Sequence, residues 1–451
     1  MMISDGFGPA SETFARQYHG WRENLSPREN LLPLDKIHVG HSRTESSSSL
    51  VTDSAAGATA FSCALKSYNG AIGVDPRQVP CGTVLESAKL QKNMLTGLVA
   101  TSRITHATPA SFCAHVIDRN MENEIAVQQI GETPLGRTID LMFGGGLCEF
   151  QSNKTQGSCR ADDRDVLQEA KDSYGWEVYT TRSEFDALTS ATAPLPLMGL
   201  FASQHMSYEM DRIPSEQPSL KEMTQKALAI LEEATRGSEH GFFLMIEGSR
   251  IDMAGHTNDP AAHVHDIWQY HQTVEVVKQF VNEHPGTVVI STSDHETGGL
   301  SLGRQLTEDY PEYKWNPEVI SRVQNSSEVL SLAWADALQR GTATKEYLVD
   351  ELISAGLGIN DPTKYEINRI FAWQDKNKTT EELAWLFSDM VSKRALIGWT
   401  THGHTAVDVN LYAHGVGAEK LRGSHENIEI GDFIVDYLDL DLNSITKKLK
   451  A

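Results

Sequence analysis

Long apolar runs are missing from this 451-residue chain. None reaches the roughly 18 residues needed to cross a bilayer, and no signal-type leader opens the sequence, so the chain as written holds no membrane span. Positive charge is also scarce, with 39 Lys and Arg against 61 Asp and Glu and a net charge of −22. That balance argues against a nucleic-acid backbone as partner and leaves small substrates or metal ions. Cysteine is sparse too: there are five, none in a CxxC spacing, so a thiolate metal site is not expected. Cys63, Cys81 and Cys113 read as small buried apolar residues. Cys148 and Cys159 flank a polar, loop-like segment and are placed to close a short disulfide. That loop contains the glycosylation pattern Asn153-Lys154-Thr155, and similar patterns occur at Asn24, Asn325 and Asn377. A bridge and an acceptor in one loop point to an oxidising, secretory-pathway lumen.

What is present is a repeated arrangement of a strand that ends in metal-ligand residues. The β-branched run Thr287-Val288-Val289-Ile290-Ser291-Thr292 leads to Asp294 and His295. Phe242-Phe243-Leu244-Met245-Ile246, apolar enough for burial on both faces, ends in Glu247 and leads to Asp252 and His256. On a helical turn that last pair would leave from one face. Met1 to Ser4 runs into Asp5-Gly6-Phe7-Gly8-Pro9, and near the other end lies Thr401-His402-Gly403-His404-Thr405. A buried central strand usually runs about five residues, so the few before Asp5 predict further residues upstream, and with them any targeting segment or anchor. Oxygen and nitrogen donors of this kind suit zinc, with magnesium or manganese at an all-oxygen position.

Between these runs the periodicity is helical. Leu220, Met223, Ala227, Leu228 and Leu231 form one stripe that stops at Gly237. Asp259-Pro260 opens a second, with Val264, Ile267, Tyr270, Val274 and Val277 at spacings of three and four. Strand, helix, strand in that order predicts an α/β fold with a mostly parallel sheet covered on both faces and ligands in the crevice at its strand ends. From Leu300 to Thr401 acids and aromatics dominate and histidine is absent. We read residues 300–400 as an inserted cap or dimerisation region that supplies no metal ligands, within one domain spanning 1–451. Strand-like alternation resumes at Val407 to Tyr412. Ser54, in Val51-Thr52-Asp53-Ser54-Ala55-Ala56-Gly57, opens a small-residue helix whose free amides and positive dipole end would hold an anion.

Together with Ala107-Thr108-Pro109-Ala110, Glu247-Gly248 and His404, these segments resemble the alkaline phosphatases in order and through most of the chain, most of all their fungal vacuolar type. The resemblance implies a three-layer α/β sandwich and a phosphomonoesterase with an alkaline optimum that works through a phosphoserine. It implies two Zn²⁺ and one Mg²⁺ per chain, a homodimer and a vacuolar setting. Ser54 matches the nucleophile. Asp5, Asp294 and His295 match the zinc site beside it, and Asp252, His256 and His404 the zinc site facing the leaving oxygen. His106, Thr108 and Glu247, again with Asp5, match the magnesium site. Arg119 matches the phosphate clamp, since a planar guanidinium grips two oxygens, and Asp53 is expected to hold it in place.

Two positions depart from the commonest pattern. Met253 stands where many relatives have lysine or histidine, which predicts weaker retention of phosphate. His106 stands where many bacterial relatives have a carboxylate, which leaves the third site open to zinc as well as magnesium. Other histidines have plainer readings: His402 as a neighbour of the ligand His404, and His263, His265 and His271 as packed or solvated helix residues. Thr108 also reads as a helix cap in its own right, and Asp162-Asp163 reads as a solvated loop. Two competing functions are a phosphodiesterase- or sulfatase-like hydrolase, disfavoured by Ser54 with Thr108 and Glu247, and a non-catalytic metal-binding descendant, disfavoured because no expected residue is lost.

Overall fold

A computed structural model describes residues 1–375 and 379–450, so the pattern at Asn377-Lys378 lies outside the described residues. Ten strands form one sheet, in the order Gly423–Glu426, His38–Arg43, Val409–Gly415, Val288–Thr292, Met2–Ile3, Phe242–Glu247, Leu95–Arg103, Leu141–Gly145, Leu197–Leu200, Glu177–Tyr179. Only Val409–Gly415 runs antiparallel to its neighbours. Successive strand residues point to opposite faces, and the burial follows that alternation. Val99, Leu141, Phe143, Leu244 and Ile246 enter one apolar core, whereas Leu98, Ala100, Met142 and Met245 enter another. The first core is closed by the helices Pro9–Arg22, Leu220–Ala234 and Pro260–Glu283, the second by Ser54–Cys63, Val84–Lys92 and Asn427–Leu438. Helices on both faces of a mostly parallel sheet are the α/β layering that the sequence predicts.

Both expected helical stripes form, each with a recognisable start. Ser219 and Glu222 make a reciprocal capping box ahead of Leu220–Ala234. Asp259 accepts the amides of Ala261 and Ala262, with Pro260 in the first turn. The two-residue strand Met2–Ile3 sits between Val288–Thr292 and Phe242–Glu247, with Ile3 level with Glu247 and Thr292. This register brings Asp5, Glu247 and Asp294 to one edge.

From Leu300 onward the chain leaves and returns side by side, Ser301–Leu302 pairing antiparallel with Ile397–Gly398. The helices Ser327–Arg340, Tyr347–Gly356, Lys364–Phe371 and Thr380–Ala395 lie between, and their buried Trp334, Leu348 and Phe387 join the first core.

The cysteine reading needs one correction. Cys148 pairs with Cys159 as expected, but Cys63 also pairs with Cys81, their Cα atoms 6.0 Å apart, and only Cys113 is free and buried. Cys63 and Cys81 are buried, yet they are a covalent tie between the end of helix Ser54–Cys63 and the segment that follows the Val74–Pro80 bridge. Nothing in a spacing of 18 residues marks such a pair.

Candidate active site

Three donor groups come together at the strand ends: Asp5 with Asp294 and His295, Asp252 with His256 and His404, and Asp5 with His106 and Glu247. In each, the ligand atoms lie within 4.8 Å of one another. Glu247 ends a sheet strand, and Asp5 and the Asp294-His295 pair lie just past the ends of two others. Asp252 and His256 share the short helix Arg250–His256, and His404 arrives on a two-residue ribbon paired with Glu296–Thr297. Gly6 has φ +73°, and a Cβ there would stand 2.6 Å from Asp252 Cα, so only glycine lets the Asp5 turn reach this helix.

The histidine tautomers are set from behind. His256 Nδ1 lies 2.6 Å from the His402 carbonyl, His404 Nδ1 2.8 Å from the Thr52 carbonyl, and His295 Nδ1 3.2 Å from Thr297 Oγ1. A ring that donates from Nδ1 keeps a bare lone pair on Nε2, the usual arrangement behind a metal-bound imidazole. His404 Nε2 and His256 Nε2 then face each other at 3.2 Å, an approach that a bound cation, or the proton His256 holds beside Asp252, must bridge. His402 is exposed, stacks on Trp385 and joins no donor group, so His404 is the ligand-placed histidine of the pair.

Electrostatics gives the same answer. Burial, then the neighbouring carboxylates, drives Asp294 up to about 7. Burial also raises Glu247 to about 7 and Asp5 well above its ordinary value, the latter helped by Asp294, Asp252 and Glu247. For Asp252 burial is outweighed by His256, His404 and His295, which hold it well below the usual range, and Asp252 in turn pushes His256 to about 9. Burial holds His295 and His106 well below the usual imidazole value. Thr108 Oγ1, Glu247 Oε1, His106 Nδ1 and Asp294 Oδ2 are buried without a hydrogen-bond partner. Orphaned donor atoms among crowded carboxylates cost several kcal/mol unless cations satisfy them, roughly 1–3 kcal/mol for each group. The residues present therefore fit divalent ions, and a metal cofactor is implied.

Ser54, 1% exposed, opens helix Ser54–Cys63, with Oγ 3.1 Å from His295 Nε2 and 3.4 Å from Asp5 Oδ1. Asp53 works twice: Oδ1 caps this helix at the Ala56 amide, and Oδ2 accepts from Arg119 at 3.2 Å and from the Gly70 amide at 2.8 Å. The other Arg119 amine lies 3.1 Å from His106 Nε2. Thr108 sits inside the short helix Ala107–Ala110, whose cap position is His106. His263 is buried between the Ile251 carbonyl and Ser11, His271 is buried beside Glu12, and His265 is half-buried, none of them in a donor group. Asp162 pairs with Arg160, and Asp163 is bridged to Lys154 on the surface. Sequence reasoning missed Thr297 and Glu296, whose signal is only their adjacency to His295.

Comparison with known proteins points to one family. The family model described as alkaline phosphatase matches residues 1–440. An alkaline phosphatase of Schizosaccharomyces pombe is 49% identical over 100% of this chain and 82% of its own length. The repressible alkaline phosphatase of Saccharomyces cerevisiae is 45% identical over 99% and 82%. Among solved structures, the cold-active enzyme of a psychrophilic Shewanella superposes with a TM-score of 0.80 at 29% identity, covering 97% of this chain and 98% of that one. The Thermus thermophilus alkaline phosphatase gives 0.81 at 27%, covering 100% and 94%. Family model, relatives and fold agree: the chain belongs to the alkaline phosphatase family and is a phosphatase of the hydrolase class.

Proposed function

We propose that the chain hydrolyses small phosphate monoesters through a phosphoserine formed on Ser54. The observation that carries this reading is the placing of Ser54 Oγ at a helix start, beside His295 and Asp5, with Arg119 anchored by Asp53 across the same mouth. Asp5, Asp294 and His295 would hold one zinc ion and Asp252, His256 and His404 a second. Asp5, His106, Thr108 and Glu247 would hold magnesium. Bound there, the ions would lower the pKa of the serine hydroxyl and stabilise charge on the attacking and departing oxygens.

The chain's own groups do the rest. Arg119 would grip two non-bridging oxygens, and the first amides of helix Ser54–Cys63, ahead of the Ala56 amide that Asp53 caps, would face the same anion. Ser54 passes its proton to solvent water, Oγ bonds to phosphorus, and the ester bond breaks on the far side, its electron pair going to the alcohol oxygen, which takes a proton from water. The alcohol leaves over the more open triad, where the His256 side chain is 31% exposed against 0% for His295. Water then cleaves phospho-Ser54 to phosphate and restores the hydroxyl.

The two disulfides and the exposed Asn153 support a glycosylated protein of the secretory-pathway lumen, and the resemblance to the fungal type implies a vacuolar one. No described helix is long and apolar enough to cross a membrane. We further read the chain as one domain, residues 300–400 as its inserted cap, the assembly as a homodimer and the optimum as alkaline. Replacing Ser54 with Ala tests the core of the proposal. Release of phosphate from an aryl phosphate should fall at least about a thousandfold with metal content unchanged, and retained turnover would refute it.

A further inference from the structure

One hydroxyl touches both proposed zinc triads. Thr297 is fully buried, and its Oγ1 donates to Asp252 Oδ1 at 2.5 Å while lying 3.2 Å from His295 Nδ1. A threonine hydroxyl has one proton and can accept as well. The carboxylate takes that proton, so the imidazole contact must be Nδ1–H donating to Oγ1. This leaves Nε2 of His295 bare where it lies 3.1 Å from Ser54 Oγ. On the Asp252 side the same bond occupies Oδ1 and leaves Oδ2, the atom 3.3 Å from His256 Nε2, directed at the second triad.

The surroundings are shaped for this contact. Thr297 is paired across the ribbon with His404, so it is tied by backbone to a third ligand. A Cβ on Gly255 would stand 2.9 Å from Thr297 Cγ2, so the absence of a side chain there lets the threonine press against helix Arg250–His256. The ribbon itself is held from outside by buried Glu296, which takes the Thr405 hydroxyl and the Gly299 and Leu300 amides.

We propose that Thr297 is a positioning residue that braces the attack-side triad to the leaving-side triad and fixes the His295 tautomer. It touches neither phosphate nor a reacting atom; it sets the spacing and the proton position of groups that do. The inference rests on reading the two triads as ion sites. Removing the hydroxyl would loosen both triads at once, whereas losing an ordinary buried threonine would leave ion affinity and tautomer alone.

The test compares Thr297→Val, which keeps the shape, with Thr297→Ser, which keeps the hydroxyl. Zinc titration of the chelated full chain should show affinity at both tight sites reduced about 10- to 100-fold in the valine variant and restored to within a few-fold in the serine variant. Nitrogen chemical shifts of ¹⁵N-histidine-labelled, chelated wild-type protein should report Nδ1–H on His295, a readout that needs no variant to fold. Wild-type zinc affinity in Thr297→Val, equal impairment in both variants, or an Nε2–H tautomer on His295 would each overturn the proposal. If wild-type protein takes up no zinc at all, the ion-site reading itself fails, an outcome distinct from these.

Discussion

The carboxylates of the helical stretch after Leu300 and those at the strand ends are treated in opposite ways. In the helical stretch Asp389 is ringed by Arg304, Arg369 and Lys393, and Glu366 is gripped by Arg394. At the strand ends Asp5, Asp252 and Asp294 meet histidines, a few hydroxyl and amide donors and one another, and among the described residues no lysine or arginine lies within bridging distance of them or of Glu247. Carboxylates matched by fixed cations on the protein need nothing further. Carboxylates packed against carboxylates in a dry site call for a mobile cation, and that difference separates scaffold from chemistry here.

The comparison is broken most forcefully by Asp294→Asn. Phosphatase activity should fall at least about a thousandfold, while the chelated variant unfolds at a higher temperature than chelated wild type because one repelling charge is gone. A variant that is less stable in chelator would show that Asp294 is held by protein contacts alone.

Acidification sharpens the contrast, because the two regions respond with opposite sign. In the chelated protein Asp294 and Glu247 rise from ordinary values of 3.8 and 4.5 to about 7. Raised acids bind protons more tightly in the folded chain, so their cost is absent at low pH and grows as pH climbs towards the folded values. Chelated protein should therefore melt at a higher temperature near about pH 5 than near about pH 8. For Glu366 burial pushes upward but Arg394 outweighs it and holds the group below its ordinary 4.5, so its contribution is complete above that value and is lost as pH falls below it. Melting curves in chelator taken from below pH 4.5 up to about pH 8 test both signs, and a flat profile above pH 4.5 would contradict the first.

A smaller effect is expected at Met253, whose sulfur lies 2.9 Å from a nitrogen of buried Arg250 and offers phosphate no donor. Met253→His should tighten inhibition by phosphate about threefold to tenfold through a water-mediated contact. Smallest of all, Asp389→Asn should cost about 1 kcal/mol or less, as for other partly exposed ion pairs, and leave turnover within about twofold.

Much of this site is legible in the sequence because its ligands sit where strands stop. Strands such as Val288–Thr292 and Phe242–Glu247 announce themselves by composition, and a parallel sheet must bring their ends to one edge. Asp53 and Arg119 are legible through the resemblance, although the double duty of Asp53 as helix cap and arginine anchor emerges only in three dimensions. What stays hidden depends on contacts without a local pattern. The Cys63–Cys81 tie joins a helix end to a loop, and Thr297 matters only because a two-residue ribbon turns its hydroxyl between Asp252 and His295. The choice of His404 over His402, by contrast, is already made in the sequence, and that ribbon supplies its physical reason: its pairing faces His404 inward and leaves His402 against Trp385.

Elemental analysis of the purified chain, paired with aryl phosphate assays before chelation, after it and after zinc and magnesium are restored, bears most directly on the claim that these strand-end carboxylates await cations. Three ions per chain, activity lost with them and regained on their return, is the expected result. Turnover that persists after the ions have been stripped, or a chain that takes up none, would contradict it.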